Sequence, residues 1–263
     1  MKILSKISDS FVKIKSKIYP QDTILLNKLF PNGIPKIDKS LEKDTFTKTS
    51  KKFKVKEFVI KSTSDRDKLF AEISDTNKKR TLKYGTNCST IPTREVSKRE
   101  FEAMKQVQYE LGEYCNAQKK LRKGQELSNK EKAFCINILK SAKPIDENRT
   151  VWRIVNAHDG FEEQINGKEY NLLGFSSCMS SYDENFSEFW GNLKYSVKNG
   201  ERYCTKPYFL KINLPKGTPV LDCNATYKGK HTRMANEVIL MPGKCLVGDI
   251  NEEFSVIELF YQN

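Results

Sequence analysis

The feature that most constrains the fold is a change in the spacing of apolar residues around Pro144. Upstream of it the spacing is helical. Ser97 and Glu100 have the spacing of a capping box, which Ser128 and Glu131 repeat. The first box predicts a helix with the apolar positions Phe101, Met104, Val107, Leu111 and Cys115. The second predicts a helix through Phe134, Ile136, Leu139 and Ala142 that ends at Pro144.

Downstream of Pro144 the apolar runs are short and are separated by turn residues, which is typical of β-strands. Strands are predicted at residues 150–155, 170–175, 208–214, 219–222, 237–241, 244–250 and 254–261. Turns at residues 215–217 and 242–243 separate some of them. Because two helices precede a run of short strands, the sequence predicts an α+β fold. It contains no P-loop and no G-x-G-x-x-G fingerprint.

Charge divides the chain into two parts. Residues 1–90 carry 21 Lys/Arg and 10 Asp/Glu, whereas residues 91–263 carry 25 and 23, so the net charge of +13 belongs mainly to the first part. We therefore predict a basic N-terminal region at 1–90, with a leader helix and a linker, and a catalytic domain at 91–263. The membership of residues 57–90 is left open. The nearly neutral net charge of residues 91–263 argues against an enzyme that acts on nucleic acid. Separately, we expect the protein to be a monomer.

Residues 1–20 place six apolar residues at helical spacing among five lysines, and Pro20 ends the pattern. This segment is either a helix packed on its own domain, an unstructured leader, or a helix that seeks an anionic membrane or a secretion chaperone. No secretory signal follows Met1, and no apolar run reaches the ~18 residues that span a bilayer. The seven cysteines form no C-x-x-C pair and His158 and His231 lie far apart, so we predict free thiols and no metal site.

Three residues carry the candidate chemistry, each at the edge of a predicted strand. Arg153 ends Thr-Val-Trp-Arg, Ser177 follows Gly-Phe-Ser, and Glu237 opens Glu-Val-Ile-Leu-Met-Pro-Gly. They supply a cation that can grip a phosphate bidentately, a hydroxyl, and a carboxylate that can stabilise positive charge. Taken singly, each is more often a surface arginine, a local hydrogen-bonding serine with Ser176 as a competitor, or a salt-bridged glutamate.

The order Arg153, Ser177, Glu237 and the text around them resemble the bacterial-toxin branch of the mono-ADP-ribosyltransferases, over about residues 95–263. Residues 114–124 are similar to the family's helix-to-turn stretch, and residues 150–153 to its strand ending in Arg. Gly174–Met179 is similar to its aromatic-x-Ser-Thr-Ser segment, with Cys178 and Met179 replacing Thr and Ser. Residues 211–220 and 236–243 are similar to its strand, loop and Glu-bearing strand. The resemblance implies a split β-sandwich preceded by helices.

The resemblance also implies that NAD is the substrate and that Arg153, Ser177 and Glu237 hold it, with Glu237 stabilising the ribosyl cation as nicotinamide leaves. Phe189 is a candidate to stack on nicotinamide, with a role as a core aromatic as the alternative. Tyr227 and His231 lie on the turn that the resemblance assigns to acceptor recognition. Two residues before Glu237 the family commonly carries Glu or Gln, but here Ala235 stands there, so the usual modification of arginine is in doubt.

The expected activity is transfer of ADP-ribose to a host protein by a bacterial effector that is secreted without a Sec signal and acts in the host cytosol. A cytoplasmic phage or bacterial enzyme is the alternative setting. Two other functions stay open: an NAD glycohydrolase on the same fold, and an inactive module that binds a partner or a membrane.

Overall fold

A computed structural model describes residues 52–85, 93–109, 112–182, 193–232 and 236–262. The predicted N-terminal helix at 1–20 lies outside these residues. The helices are α1 (Thr63–Tyr84), α2 (Lys98–Gln108), α3 (Glu113–Arg122), α4 (Asn129–Ser141) and α5 (Phe161–Asn166). Among the described residues no helix could cross a bilayer, since none combines sufficient length with an apolar sequence.

Capping boxes set the helix starts, because Ser97 and Ser128 each accept a bond from a backbone N–H three residues on while Glu100 and Glu131 bond back. Ser62 and Asp65 form a third box at α1, a helix that was not predicted. The predicted helix from Phe101 to Cys115 is two helices, because Tyr109 ends α2 and Gly112, with φ of 47°, precedes α3.

Most strands belong to one large sheet. Its members, in chain order, are β3 (Lys143–Pro144), β4 (Arg149–Val155), β5 (Glu169–Leu172), β6 (Ser176–Met179), β9 (Tyr208–Leu214), β10 (Pro219–Asp222), β13 (Glu237–Leu240), β14 (Gly243–Asn251) and β15 (Val256–Gln262). Within the described residues their spatial order is β3-β10-β13-β6-β4-β9-β15-β14-β5. Two further sheets are smaller: β1 (Glu57–Val59) with β8 (Glu201–Thr205) and β7 (Lys194–Lys198), and β2 (Arg94–Glu95) with β11 (Ala225–Tyr227) and β12 (Lys230–His231).

The large sheet is split where β4 meets β6, since within the described residues Trp152–Met179 is the one position at which the two strands are paired. On one side lie β3, β10, β13 and β6, here called the small half, and on the other lie β4, β9, β15, β14 and β5, the large half. Side chains of both halves share one core, with Cys178 and Val238 from the small half and Leu210 and Leu259 from the large half. This arrangement confirms the predicted α+β class and its split β-sandwich.

Helices α2, α3 and α4 cover the other face of the small half. Met104, Leu121 and Ile138 from these helices pack against Leu221 and Ile239 from β10 and β13. The helices that precede the strands in sequence therefore form one wall of the domain, and the small half is buried on both faces.

Residues 52–85 also pack on this unit. Phe53 joins the core between the halves, Phe58 on β1 pairs with Cys204 on β8, and Arg80 donates to the Phe254 carbonyl. Residues 57–85, whose membership the sequence left open, are thus part of the folded structure. A division of the chain at residue 90 stays a prediction, since residues 1–51 and 86–92 are outside the described part.

The cysteines behave as predicted where they are described. Cys135, Cys178, Cys204, Cys223 and Cys245 are buried, Cys115 is half-buried, and all six are free. Burial raises the pKa of the Cys178 thiol to about 12, so at neutral pH it is an apolar filler and not a nucleophile.

Candidate functional site

The structure brings Ser177 and Glu237 together through strand register. Strands β6 and β13 are antiparallel, with Ser177 opposite Ile239 and Met179 opposite Glu237. Because side chains alternate across a strand, Ser177 and Glu237 are diagonal neighbours on the face that Ile239 shares with the helices. The Ser177 hydroxyl donates a hydrogen bond to Oε1 of Glu237.

Glu237 is a buried carboxylate with one unused oxygen. Its side chain is 4% exposed, and among the described residues its Oε2 is buried without a hydrogen-bond partner and no cation pairs with it. A buried carboxylate oxygen normally has a donor, because leaving it bare costs about 1–3 kcal/mol or more. A ligand hydroxyl or a cation would supply the donor that Oε2 lacks.

Arg153 reaches the same place from the large half. It lies on β4 opposite Leu210 and is half-buried, and its Nη1 donates to the Ser177 carbonyl at 2.6 Å. This bond fixes one edge of the guanidinium, which also interacts with the Cys178 thiol. The three residues singled out in the sequence therefore converge across the split in the sheet.

Helix α3 forms the wall beside these residues, a contribution that the sequence reasoning missed. Gln118 donates through Nε2 to the Phe175 carbonyl at 2.5 Å and to the Tyr114 hydroxyl at 2.8 Å. A Cβ at Gly174 would overlap Gln118 Oε1, so a larger residue there would require the Gln118 side chain to shift. The helix thereby fixes the chain just ahead of Ser177, and the four-residue spacing of Tyr114 and Gln118 is the signal that could have revealed it.

Tyr114 lies close enough to Glu237 and Arg153 for their charges to affect its pKa. Burial, with a smaller contribution from Glu237, raises the pKa of the Tyr114 hydroxyl to about 12, while the Gln118 hydrogen bond and the cations Arg122 and Arg153 oppose the rise. Tyr114 is therefore a neutral hydroxyl at physiological pH. Arg122, Arg153 and Glu237 thus place two cations and one carboxylate near Tyr114. This combination suits a ligand that carries both anionic and hydroxyl groups.

Of the other predicted site residues, the structure describes Tyr227 and His231. Tyr227 lies on β11 and is half-buried with its ring centroid 5.7 Å from that of Phe101, and His231 is exposed on β12 opposite Thr226. In the described part of the chain neither forms a hydrogen bond with Arg153, Ser177 or Glu237. Ser176, the competitor of Ser177, is buried and bonds the Gly174 carbonyl. Phe189 and Ala235 lie outside the described residues.

Several solved structures are similar to this fold. Plx2a, an ADP-ribosyltransferase toxin from Paenibacillus larvae, matches with 13% identity and a TM-score of 0.44 over 76% of this chain and 97% of that chain. The Clostridium limosum C3 exoenzyme matches with 16% identity and a TM-score of 0.43 over 80% and 98%. C3stau2 from S. aureus, solved with NAD, matches with 15% identity and a TM-score of 0.43 over 80% and 100%.

No protein-family model matches the chain, and no curated protein sequence matches it. At TM-scores below 0.5 the structural likeness carries no conclusion about activity, which has to come from the side chains of the site.

Proposed function

We propose that this chain binds NAD at Arg153, Ser177 and Glu237, cleaves the nicotinamide–ribose bond and transfers ADP-ribose to a protein side chain. The observation that carries the proposal is the Ser177–Glu237 hydrogen bond, which orients a buried carboxylate and leaves its Oε2 without a partner. A carboxylate that is held rigidly and is incompletely bonded suits a role in stabilising a cation that exists only during reaction.

Arg153 holds the pyrophosphate of NAD. Its guanidinium is planar and carries several donors in a fixed fork, and one of these already bonds the Ser177 carbonyl. This anchoring lowers the freedom of the side chain before the ligand arrives, so less entropy is lost on binding.

Glu237 acts on the ribose. Its Oε2 accepts a hydrogen bond from a hydroxyl of the nicotinamide ribose, and its charge stabilises the ring as the bond to nicotinamide lengthens. The bond between ribose C1′ and the nicotinamide nitrogen breaks with its electron pair on that nitrogen, which leaves positive charge on the ribose. The acceptor's lone pair then forms the new bond to C1′, and the acceptor's proton passes to solvent water.

The acceptor is a host protein side chain, and arginine is not the favoured one. Ala235 has no carboxylate or amide with which to orient a guanidinium, in contrast to the Glu or Gln that the resemblance would place there. Tyr227 and His231, on the hairpin that precedes Glu237, contact the acceptor protein. The basic residues at 1–90 and the free buried cysteines support a secreted bacterial effector that acts in the reducing cytosol of a host cell.

An NAD glycohydrolase is the second candidate. The absence of an acceptor-orienting side chain at Ala235 favours it, because water needs no such group. Both reactions release nicotinamide and differ only in the fate of ADP-ribose. An inactive binding module is the third possibility and releases none.

The test is incubation of the full chain with biotin-labelled NAD and eukaryotic cell lysate, with nicotinamide release measured in parallel. We expect a discrete labelled protein that is absent with Glu237→Ala. Glu169→Gln is the matched control, because it removes an exposed carboxylate that pairs with Lys244 on β14. Nicotinamide release without labelling would replace the transferase with the glycohydrolase, and absence of release with every lysate would leave the binding module.

A further inference from the structure

The candidate site spans a weakly joined boundary. Arg153 belongs to the large half of the sheet, whereas Ser177 and Glu237 belong to the small half. In the part of the chain that the structure describes, Trp152 and Met179 are the one strand pair across the split, so backbone pairing joins the two halves at a single position. The relative position of the guanidinium and the carboxylate therefore depends on side chains that pack at this boundary.

Arg80 on α1 lies in the cluster that packs there. It is 3% exposed, and its guanidinium carbon lies 3.7 Å from the centroid of the Phe209 ring. Its Nε donates to the Phe254 carbonyl at 2.7 Å, and its Nη1 donates to Oδ1 of Asn77 and to the Tyr182 hydroxyl, both at 3.3 Å. Within the described residues no carboxylate pairs with Arg80, although a buried charge is costly unless its hydrogen bonds are well made.

Tyr182 connects the hydrogen bonds of Arg80 to the boundary between the two halves of the sheet. It is fully buried, and its hydroxyl also donates to Asn77 Oδ1 at 3.1 Å. Its ring meets Trp152 edge to face, with centroids 5.0 Å apart. Trp152 immediately precedes Arg153 in the large half and pairs with Met179 in the small half.

The same segment is tied to Glu237. The backbone N–H of Ser180, two residues before Tyr182, donates to the carbonyl of Asn236 at 2.8 Å. Tyr182 thus sits between a tryptophan adjacent to Arg153 and a backbone bond adjacent to Glu237. The position of Tyr182 is therefore coupled to both halves of the sheet through these two contacts.

We infer that Arg80 is a positioning residue for NAD cleavage, which acts through Tyr182 and Trp152 to hold Arg153 in register with Glu237. The inference rests on the proposed function of the site. It also assigns a role in that site to α1, which lies outside the region predicted to be catalytic.

The test measures nicotinamide release from NAD by the full chain, with kcat and KM determined separately at 25 °C. Arg80→Met keeps the apolar stem and removes all three donated bonds, and we expect it to lower kcat about tenfold while KM changes less than about threefold. We expect kcat to change more than KM because Arg153 still binds the pyrophosphate, whereas the ribose is misplaced relative to Glu237. Arg80→Lys restores the charge without the planar fork, so we expect it to recover less than half of the lost rate.

Leu69→Ala is the matched control for a loss of packing. Leu69 is buried on the same helix, but in a separate cluster with Cys204 and Leu193. Circular dichroism confirms that each variant is folded at the assay temperature, and we expect kcat of Leu69→Ala within twofold of the original. Equal losses in Leu69→Ala and Arg80→Met, or no loss in Arg80→Met, would overturn the inference. An original chain that releases no nicotinamide would instead refute the proposed function.

Tyr182→Phe provides a second, milder variant. It removes only the hydroxyl that Arg80 and Asn77 share, and we expect kcat to fall about threefold. If Arg80 acts through Tyr182, the double variant Arg80→Met/Tyr182→Phe loses no more than Arg80→Met alone. Multiplicative losses would contradict that route.

Discussion

Arg80 and Glu237 are two buried charges that lie on opposite sides of the same structural boundary, and neither forms an ion pair among the described residues. The Arg80 guanidinium bonds a backbone carbonyl, an amide oxygen and a hydroxyl and lies over an aromatic ring. Glu237 has one bond from Ser177 and one bare oxygen. A charge that is fully bonded within the chain is an anchor, whereas a charge that is incompletely bonded is prepared for a ligand.

The largest expected effect comes from removing the Glu237 charge, and it tests whether Glu237 differs from Arg80 as a ligand site differs from an anchor. Glu237→Gln keeps the shape and the contact with Ser177, and we expect nicotinamide release to fall by about 10²-fold or more. Steady-state kinetics on NAD, with Glu169→Gln as control, measures it. Near-original turnover of Glu237→Gln would remove Glu237 from the chemistry.

Stability should move in opposite directions at the two charges. Arg80→Met removes the donor that bonds the Phe254 carbonyl, the Asn77 side chain and the Tyr182 hydroxyl, so we expect the free energy of unfolding to fall by about 2 kcal/mol. Glu237→Gln removes an uncompensated buried charge, so we expect a gain of about 1 kcal/mol. Urea titration followed by circular dichroism measures the change in unfolding free energy for both variants. Changes of the same sign would contradict the assignment of Arg80 as an anchor and Glu237 as a ligand site.

The hydroxyl that orients Glu237 provides a finer test. Ser177→Ala leaves Oε1 without its donor, and we expect kcat for nicotinamide release to fall about tenfold, the equivalent of one hydrogen bond to a charged group. Because Oε1 belongs to a buried carboxylate, we also expect the free energy of unfolding to fall by about 1 kcal/mol. Ser196→Ala on β7 controls for the substitution itself, and equal rates in the two variants would show that the Ser177–Glu237 bond has no catalytic consequence.

The smallest effect concerns a carboxylate that is satisfied within the chain. Hydrogen bonds from Lys211 and Asn213 lower the pKa of Glu258 below its usual value. A lowered folded-state pKa stabilises the protein at pH values above the unfolded pKa of about 4.3, and this contribution is lost as pH falls through the folded value. We expect Glu258→Gln to cost about 0.5 kcal/mol at pH 7 and nothing measurable near pH 2. A difference that persists unchanged to low pH would assign it to packing.

The sequence predicted best what depends on local chemistry. Two capping boxes placed the starts of α2 and α4, and short apolar runs between turns placed most strands of the large sheet, with residues 219–222 correct at both ends. The convergence of Arg153, Ser177 and Glu237 was predicted through resemblance. Strand register explains the approach of Ser177 and Glu237, because residues at alternate positions of paired strands share a face, whereas Arg153 joins them through the Ser177 carbonyl.

What the sequence analysis missed depends on tertiary packing or on signals that were overlooked. Helix α1 is dominated by charged residues, so its apolar pattern is faint, although Ser62 and Asp65 cap it. The β7–β8 hairpin was marked by Asn199-Gly200, whose φ values of 50° and 79° suit a tight turn with two left-handed residues. The network of Arg80 and Tyr182 joins residues 102 positions apart, which no local pattern reveals.

The pairing of β1 with β8 has a practical consequence for anyone who shortens this protein. A fragment that starts at residue 91, where charge alone would suggest a cut, lacks β1 and leaves the backbone N–H and C=O groups of Tyr203–Thr205 facing solvent along a bare strand edge. Exposed strand edges pair with one another between molecules. Such a fragment would be prone to aggregate, and its failure in an assay would report self-association and not the absence of an active site.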